Sequence, residues 1–458
     1  MIEPLEKRAG RSILKKRQEE IEGRLAASGL ARGGRRVLRA VESGGEETRG
    51  SRLRRALESL GPIFSSFGRY MSTRVDLLSA RTCVELAAIP DRAVPMPLAD
   101  AHALLGRELG CEPAEVFPNF EAAACESRLT HQTHRAWLPG GEPVSVKLIH
   151  SEAEEYALRD LQLLHLLEGA FAWEVSGQNF KSAANDFAVV LRQQIDFAHE
   201  AKALVSLAQD AEVYETLRVP AVRPELCTSR VLTIERLTGW SLEESARSFE
   251  EGADDARRGL TAGLNATGIA RLLCSVWMRQ ALLGRAFPVE PRPEDILILP
   301  GRQIAFTGGL FAGLAADPQA NLWDYLIAAA GENTDLACAC LLKEMRASEQ
   351  VPDEERLRHS FRQVVPFRDS QWRGSGDEYH LAEHLFVQWR LASECGYVPL
   401  PHLPSFYRGL FLITDAAQRL APDSDPLAEG LQDVRLLASL SQWREMMTRS
   451  QLGEQFDK

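Results

Sequence analysis

Residues 142–150 read EPVSVKLIH. Val144, Val146 and Leu148 alternate with Ser145 and Lys147, the period-two pattern of a strand with one buried face. Downstream, a Leu-dense helix is expected through Leu161, Leu164 and Leu167, then a second strand at 230–237 (RVLTIERL) and a turn at Gly239. Ile269, Leu272, Leu273, Val276 and Trp277 recur at i, i+3, i+4, i+7 and i+8, which makes an amphipathic helix. DILIL and QIAF follow, split by Pro300-Gly301-Arg302, a hairpin signal. Residues 320–450 return to helical patterning. Upstream, residues 59–120 read as helices broken by PDRAVPMP at 90–97. The pattern is an α+β chain: a small mixed lobe joined to a larger, mainly helical one.

The 458 residues are 45% hydrophobic and 26% charged, a globular composition. No stretch reaches the roughly 18 apolar residues that span a bilayer, and the start lacks the apolar core of a secretory signal. Eight scattered cysteines favour free thiols and a cytoplasmic setting. Cys338-x-Cys340 reads as two small buried side chains, since no second pair accompanies it. Residues 1–58 carry 15 Lys and Arg against 9 Asp and Glu, a net of +6, while the whole chain stands at −11. An acidic body makes nucleic acid an unsuitable partner.

The basic stretch 1–58 reads as a helical arm interrupted at Gly33-Gly34 and Gly44-Gly45, with Ile13, Leu14, Ile21 and Leu25 as its apolar positions. Lys15, Lys16, Arg17, Arg35 and Arg36 lie near Ile13, Leu14, Val37 and Leu38. Two readings stand side by side: peripheral attachment to an anionic membrane or acidic partner, and an arm folded onto the protein's own acidic body.

LGPIFSSFGRYMSTRVDLL (60–78), QTHRAWLPGGEPVSVKLIH (132–150), IDFAHEAKAL (195–204), TSRVLTIERLTGWSL (228–242) and RGLFLITDAAQRLAPDSDPL (408–427) together resemble the UbiB/AarF family of atypical kinases. The likeness covers roughly residues 58–435. It implies a bilobal protein-kinase-like fold: arm 1–58, helical extension 59–120 lying over the active site, smaller lobe 121–238 and helical lobe 239–458. It also implies roles in ubiquinone and isoprenoid-lipid metabolism, with ATP-binding and ATPase activity.

Phosphoryl transfer needs a lysine on the phosphates, a helix carboxylate holding it, a carboxylate for the nucleophile and two ligands for Mg²⁺. By resemblance, Lys147 is the lysine. Gln194 stands where the family has a glutamate, with Asp196 and Glu200 after it. A neutral Gln194 accepts a hydrogen bond but brings no charge; Asp196 or Glu200 is the candidate substitute, although helical spacing points them in different directions from residue 194. The catalytic loop is PVEPRPEDILIL (288–299): Pro288 replaces His, Glu290 the catalytic Asp, Glu294 Gly, and Asp295 the metal-binding Asn. The Asp-Phe-Gly metal motif has become Thr307-Gly308-Gly309, a hydroxyl in place of a carboxylate. In the extension, Ser66-Phe67-Gly68-Arg69 replaces Lys-x-Gly-Gln. For the Ala-rich phosphate loop two registers stand. Counting back from His134-Arg135-Ala136 puts Glu126, Ser127, Arg128 and Leu129 there, where Glu126 would oppose phosphates. Ala122-Ala123-Ala124-Cys125 lies four residues earlier and requires an insertion. His131 and His134 carry no metal signature and read as structural.

Changes at Gln194, Glu290, Asp295, Thr307 and the Ser66/Arg69 pair, all acting on one step, predict retained structure without retained chemistry. The expected function is a pseudokinase that binds a partner protein or an isoprenoid lipid, with ATP or ADP bound weakly and without Mg²⁺. The competing expectation is a divergent ATPase whose Glu290 and Asp295 hold a divalent ion.

Overall fold

The computed structural model describes residues 3–30, 48–150, 153–250, 265–348, 351–363 and 380–439. Helix α1 (Glu3–Ala27) does not stand apart: Ile21 and Leu25 are buried in the main core. Arg17 fixes it there, pairing with the buried Asp160 at 2.9 Å and lying 5.5 Å over the Phe64 ring. The two Gly pairs of the arm and the Arg35–Leu38 cluster lie outside the described residues. Helix α2 (Arg49–Leu60), capped by Thr48, runs through the boundary expected at residue 58. Gly61, at φ 103°, then turns the chain into α3 (Pro62–Met71). This turn needs glycine, because a side chain strains at that φ.

α3 is the extension's contact with the rest of the molecule. Phe67 packs edge-on against Phe171, Phe180 and Phe187, with ring centroids 5.2 to 5.8 Å apart. A Cβ on Gly68 would sit 2.4 Å from Ile89 and 2.8 Å from Leu57, so only glycine allows this close packing. Residues 90–97 are irregular, as the prolines predict, and α4 (Leu98–Leu109) follows.

β1 (His131–Trp137), β2 (Pro143–Ile149) and β3 (Val231–Glu235) form an antiparallel sheet, with Asn119–Phe120 and Glu126–Ser127 as short partners of β1. The alternation read from EPVSVKLIH holds. Val144, Val146 and Leu148 pack with Leu104 and Leu105 of α4, and Lys147 points to the opposite face. The expected Leu-dense helix is broken instead: Ala153–Leu161 is α-helical, Leu164–Leu167 a 3-10 turn and Glu168–Phe171 a further short helix. Leucines at 161, 163, 164, 166 and 167 leave only Gln162 and His165 exposed, too narrow a polar stripe for an ordinary amphipathic helix, so burial decides their path. α5 (Gly177–Gln194) and α6 (Phe197–Ala211) complete the smaller lobe.

In the larger lobe α7 (Ala266–Leu283) is the expected amphipathic helix, and β4 (Ile296–Leu299) and β5 (Gln303–Phe306) the expected hairpin. Gly301 and Arg302 both take positive φ in its turn. Phe287–Pro288 pairs with Phe311–Ala312, so the loops 289–295 and 307–310 are held side by side. α8 (Leu381–Glu394) and α9 (Leu403–Leu420) close the lobe. A Cβ on Gly409 would lie 2.6 Å from Trp277 and 2.8 Å from the Pro288 carbonyl, and that closeness brings its neighbour Arg408 to the loop. One hydrophobic core joins arm, extension and both lobes.

Candidate functional site

α5 ends at Gln194, and Asp196 caps a new helix by accepting from the Ala198 amide at 3.0 Å. Residues 194 and 200 therefore lie on different helices, and the single-helix spacing assumed from sequence does not apply. Glu200 turns inward and meets Lys147 Nζ at 2.7 Å, both nearly buried. Lys147 does not bond to Gln194; its partner is a full carboxylate. Burial pulls the Lys147 ammonium down, but Glu200 and Asp295 more than reverse this and leave it above its ordinary value. Asp196 is a helix cap, with its carboxylate spent on backbone.

Gly308 passes directly over this ion pair. A Cβ there would stand 1.9 Å from Lys147 Nζ, and the Gly309 amide donates to Glu200 at 3.1 Å. The Thr307 hydroxyl and amide both go to the Asp295 carbonyl, at 3.0 and 2.9 Å. Thr307 thus ties two loops together.

The two acidic positions are matched by arginines. Glu290, 5% exposed, accepts from Arg292 at 2.5 Å, Gln194 at 2.6 Å and Arg408 at 3.0 Å. Arg292 also pairs with Asp91. Asp295 Oδ1 accepts from Arg128 at 2.9 Å, and Arg128 reaches back to Glu126. Burial works against the Arg128 charge, yet Asp295 and Glu126 hold its guanidinium above its usual value. Asp295 Oδ2 is buried without a hydrogen-bond partner among the described residues. The Mg²⁺ that the resemblance implies does not fit this set. The Glu290 oxygens and Asp295 Oδ1 accept from cations, the Thr307 hydroxyl is a donor here, and no three metal-ligating side chains cluster among the described residues.

Between the lobes these groups leave a cavity of about 40 Å³. Ser66 and Arg69 of α3 line it from the extension side, with Arg69 also donating to the Ile89 carbonyl at 2.7 Å. Gly68 faces away and serves packing. His131 lines the cavity, and burial, with Lys147 and Arg128 beside it, pushes its imidazole far below its usual value. His134 stacks on Phe120 at 4.6 Å and bonds the Glu121 carbonyl, a structural role.

Sequence reasoning assigned Lys147, Glu290, Asp295 and Thr307 to one site, left Glu200 only as a substitute partner, and missed the arginines that pair with the two acids. Arg292 lies inside the quoted catalytic-loop stretch, Arg408 heads the last resembling stretch, and Arg128 sits in one of the two registers read for the phosphate loop. Two buried carboxylates require counter-charge, and these three nearby arginines were the available signal.

The ABC1 atypical kinase-like domain family matches residues 88–339. A probable protein kinase UbiB of Pseudomonas putida is 30% identical over 294 residues, covering 62% of this chain and 52% of that protein. A probable protein kinase UbiB of Marinobacter nauticus is 28% identical over 290 residues, covering 61% and 51%. The chain spans about half the length of these curated relatives. A Mycobacterium tuberculosis protein solved in complex with erythromycin is 18% identical, with a TM-score of 0.44 over 79% of this chain and 88% of that one.

Proposed function

The chain belongs to the ABC1 atypical kinase-like family and has the bilobal protein-kinase-like fold, and from that premise we propose that it acts as a pseudokinase. In this reading it is a binding or scaffold protein that engages a partner protein or an isoprenoid lipid. Quinone or isoprenoid-lipid metabolism is the setting that its resemblance to UbiB proteins suggests. One observation carries it. The carboxylates at the catalytic and metal positions, Glu290 and Asp295, are already paired with Arg292, Arg408 and Arg128. Placing a metal–nucleotide complex there means breaking buried ion pairs, at about 3–5 kcal/mol each. Small-molecule sites usually enclose about 300–1,000 Å³, far more than this cavity.

Purified protein is expected to hydrolyse Mg²⁺-ATP no faster than background, and millimolar ATP is expected to leave its melting temperature nearly unchanged. Turnover that disappears in Glu290→Gln would overturn this reading. The second reading, a divergent ATPase, draws on Asp295 Oδ2, the buried carboxylate oxygen left without a hydrogen bond among the described residues. Mg²⁺-dependent turnover lost in Asp295→Ala would favour it.

The basic arm supports peripheral contact with an anionic membrane. No described helix is long and apolar enough to cross one. Ile21 and Leu25 face the core, while Ile13, Lys15 and Lys16 are exposed. Deleting residues 1–58 would strip the core, so charge reversal is avoided and neutralisation is the suitable test. Parent protein is expected to float with anionic vesicles at low salt. A Lys15→Gln, Lys16→Gln, Arg35→Gln, Arg36→Gln variant is expected to stay behind, and equal recovery of both rules the contact out.

A further inference from the structure

Two guanidiniums, those of Arg292 and Arg408, pair with the single Glu290 carboxylate at the cavity between the lobes, and Arg69 lines the same cavity. Glu290 does not satisfy them. Arg408 is 4% exposed, and only its Nη2 has an acceptor; Nε and Nη1 are buried without hydrogen bonds among the described residues. Arg69 Nε is likewise buried and unpartnered. Burial, and then the like charges of Arg408 and Arg128, press the Arg69 guanidinium below its usual value against the pull of Glu290. Buried donors without acceptors are rare in folded proteins and ask for an explanation. Here three lie on two arginines that line one cavity.

We propose that this cavity is a metal-independent site for one phosphate-class oxyanion, gripped by Arg69 and Arg408. The planar N–H fork of arginine matches two oxygens of a phosphate at once. About 40 Å³ is room for roughly three water molecules, since each needs some 10–15 Å³. It suits a single small anion and excludes a nucleotide. The carboxylates at the cavity do not repel such an anion in net. Glu290 already accepts from Arg292, Gln194 and Arg408; Asp91 pairs with Arg292 and Glu200 with Lys147. The anion instead relieves the crowding of like charges. Ser66 lines the pocket from α3 and Arg408 from α9, so the anion sits at the joint between the extension and the larger lobe.

The site deepens the pseudokinase reading and rests on it, since the same arginines displace the metal. Melting of the full chain in EDTA tests it without involving ATP turnover. Inorganic phosphate is expected to raise the melting temperature by roughly 2 °C, relative to chloride at matched ionic strength. The shift should vanish in Arg408→Gln and in Ser66→Leu, which fills the cavity without changing charge. A parallel arm with glycerol 3-phosphate separates a free anion from a phosphomonoester: a larger shift than phosphate gives assigns the ester, and an equal or smaller shift, or none, assigns the free anion. Should Arg408→Gln fail to fold, Ser66→Leu decides. No shift beyond chloride, or a shift that survives in Ser66→Leu, overturns the site. Either result leaves the pseudokinase reading standing, because that one falls only on ATP turnover.

Discussion

Asp76→Asn is expected to destabilise the protein by about 3–5 kcal/mol, the cost of leaving one partner of a buried ion pair alone. Asp76 takes two bonds from Arg74, at 2.8 and 2.7 Å, and both residues are almost wholly buried. Burial pulls the Arg74 guanidinium down; Asp76 and its other neighbours more than reverse it and leave it above its usual value. The pair also organises the joint between the extension and the two lobes. Arg74 donates to the Tyr70 hydroxyl at 2.9 Å, and that hydroxyl donates to Asp186 on α5 at 2.5 Å. On the other side Arg74 lies 5.5 Å over the Trp389 ring of α8, whose Arg390 donates to the Val75 and Leu78 carbonyls. Urea unfolding measures the effect. The double change Arg74→Met with Asp76→Leu is expected to lose much less, since an apolar pair carries no desolvation cost. A single-variant loss under about 1 kcal/mol, the value of an exposed pair, would show that this joint is solvated.

Arg128→Gln is expected to cost a similar amount, about 3–5 kcal/mol. Its guanidinium is the only cation hydrogen-bonded to Asp295 among the described residues, and both side chains are at most 10% exposed. Removing it strands a carboxylate at the position where the family binds metal. Asp295→Asn added to Arg128→Gln should recover most of the loss, because an amide there has no charge to bury. The double-mutant cycle isolates that coupling. Additive losses would mean that Arg128 acts elsewhere and that Asp295 is free to take a cation, which removes the main support for the pseudokinase reading.

How much of the site was legible depended on whether a property is local in the chain. Lys147 was placed correctly on its strand because period-two alternation is a local signal, and its inward face follows from the pleat. The loss of an acid at Thr307 needed only the letters of the chain. The partner of Lys147 did not follow, because Ile195 and Asp196 break what sequence treated as one helix, and the break turns Glu200 rather than Gln194 inward. Gln194 was free to serve Glu290, 96 residues away.

By itself, then, the sequence determined the α+β class, the sheet strand carrying Lys147, the hairpin at 296–306 with its turn at Gly301, and membership of a kinase-like family. Each is set by short-range periodicity, turn chemistry or ordered motifs. Only the tertiary structure decided that Arg128, Arg292 and Arg408 neutralise Glu290 and Asp295, that the basic arm buries Ile21 and Leu25, and that the Leu-rich segment breaks. Arg128 with Asp295 and Arg408 with Glu290 are pairings across more than a hundred positions, and these depend on how the lobes close. A buried carboxylate takes whichever cation that closure brings within reach.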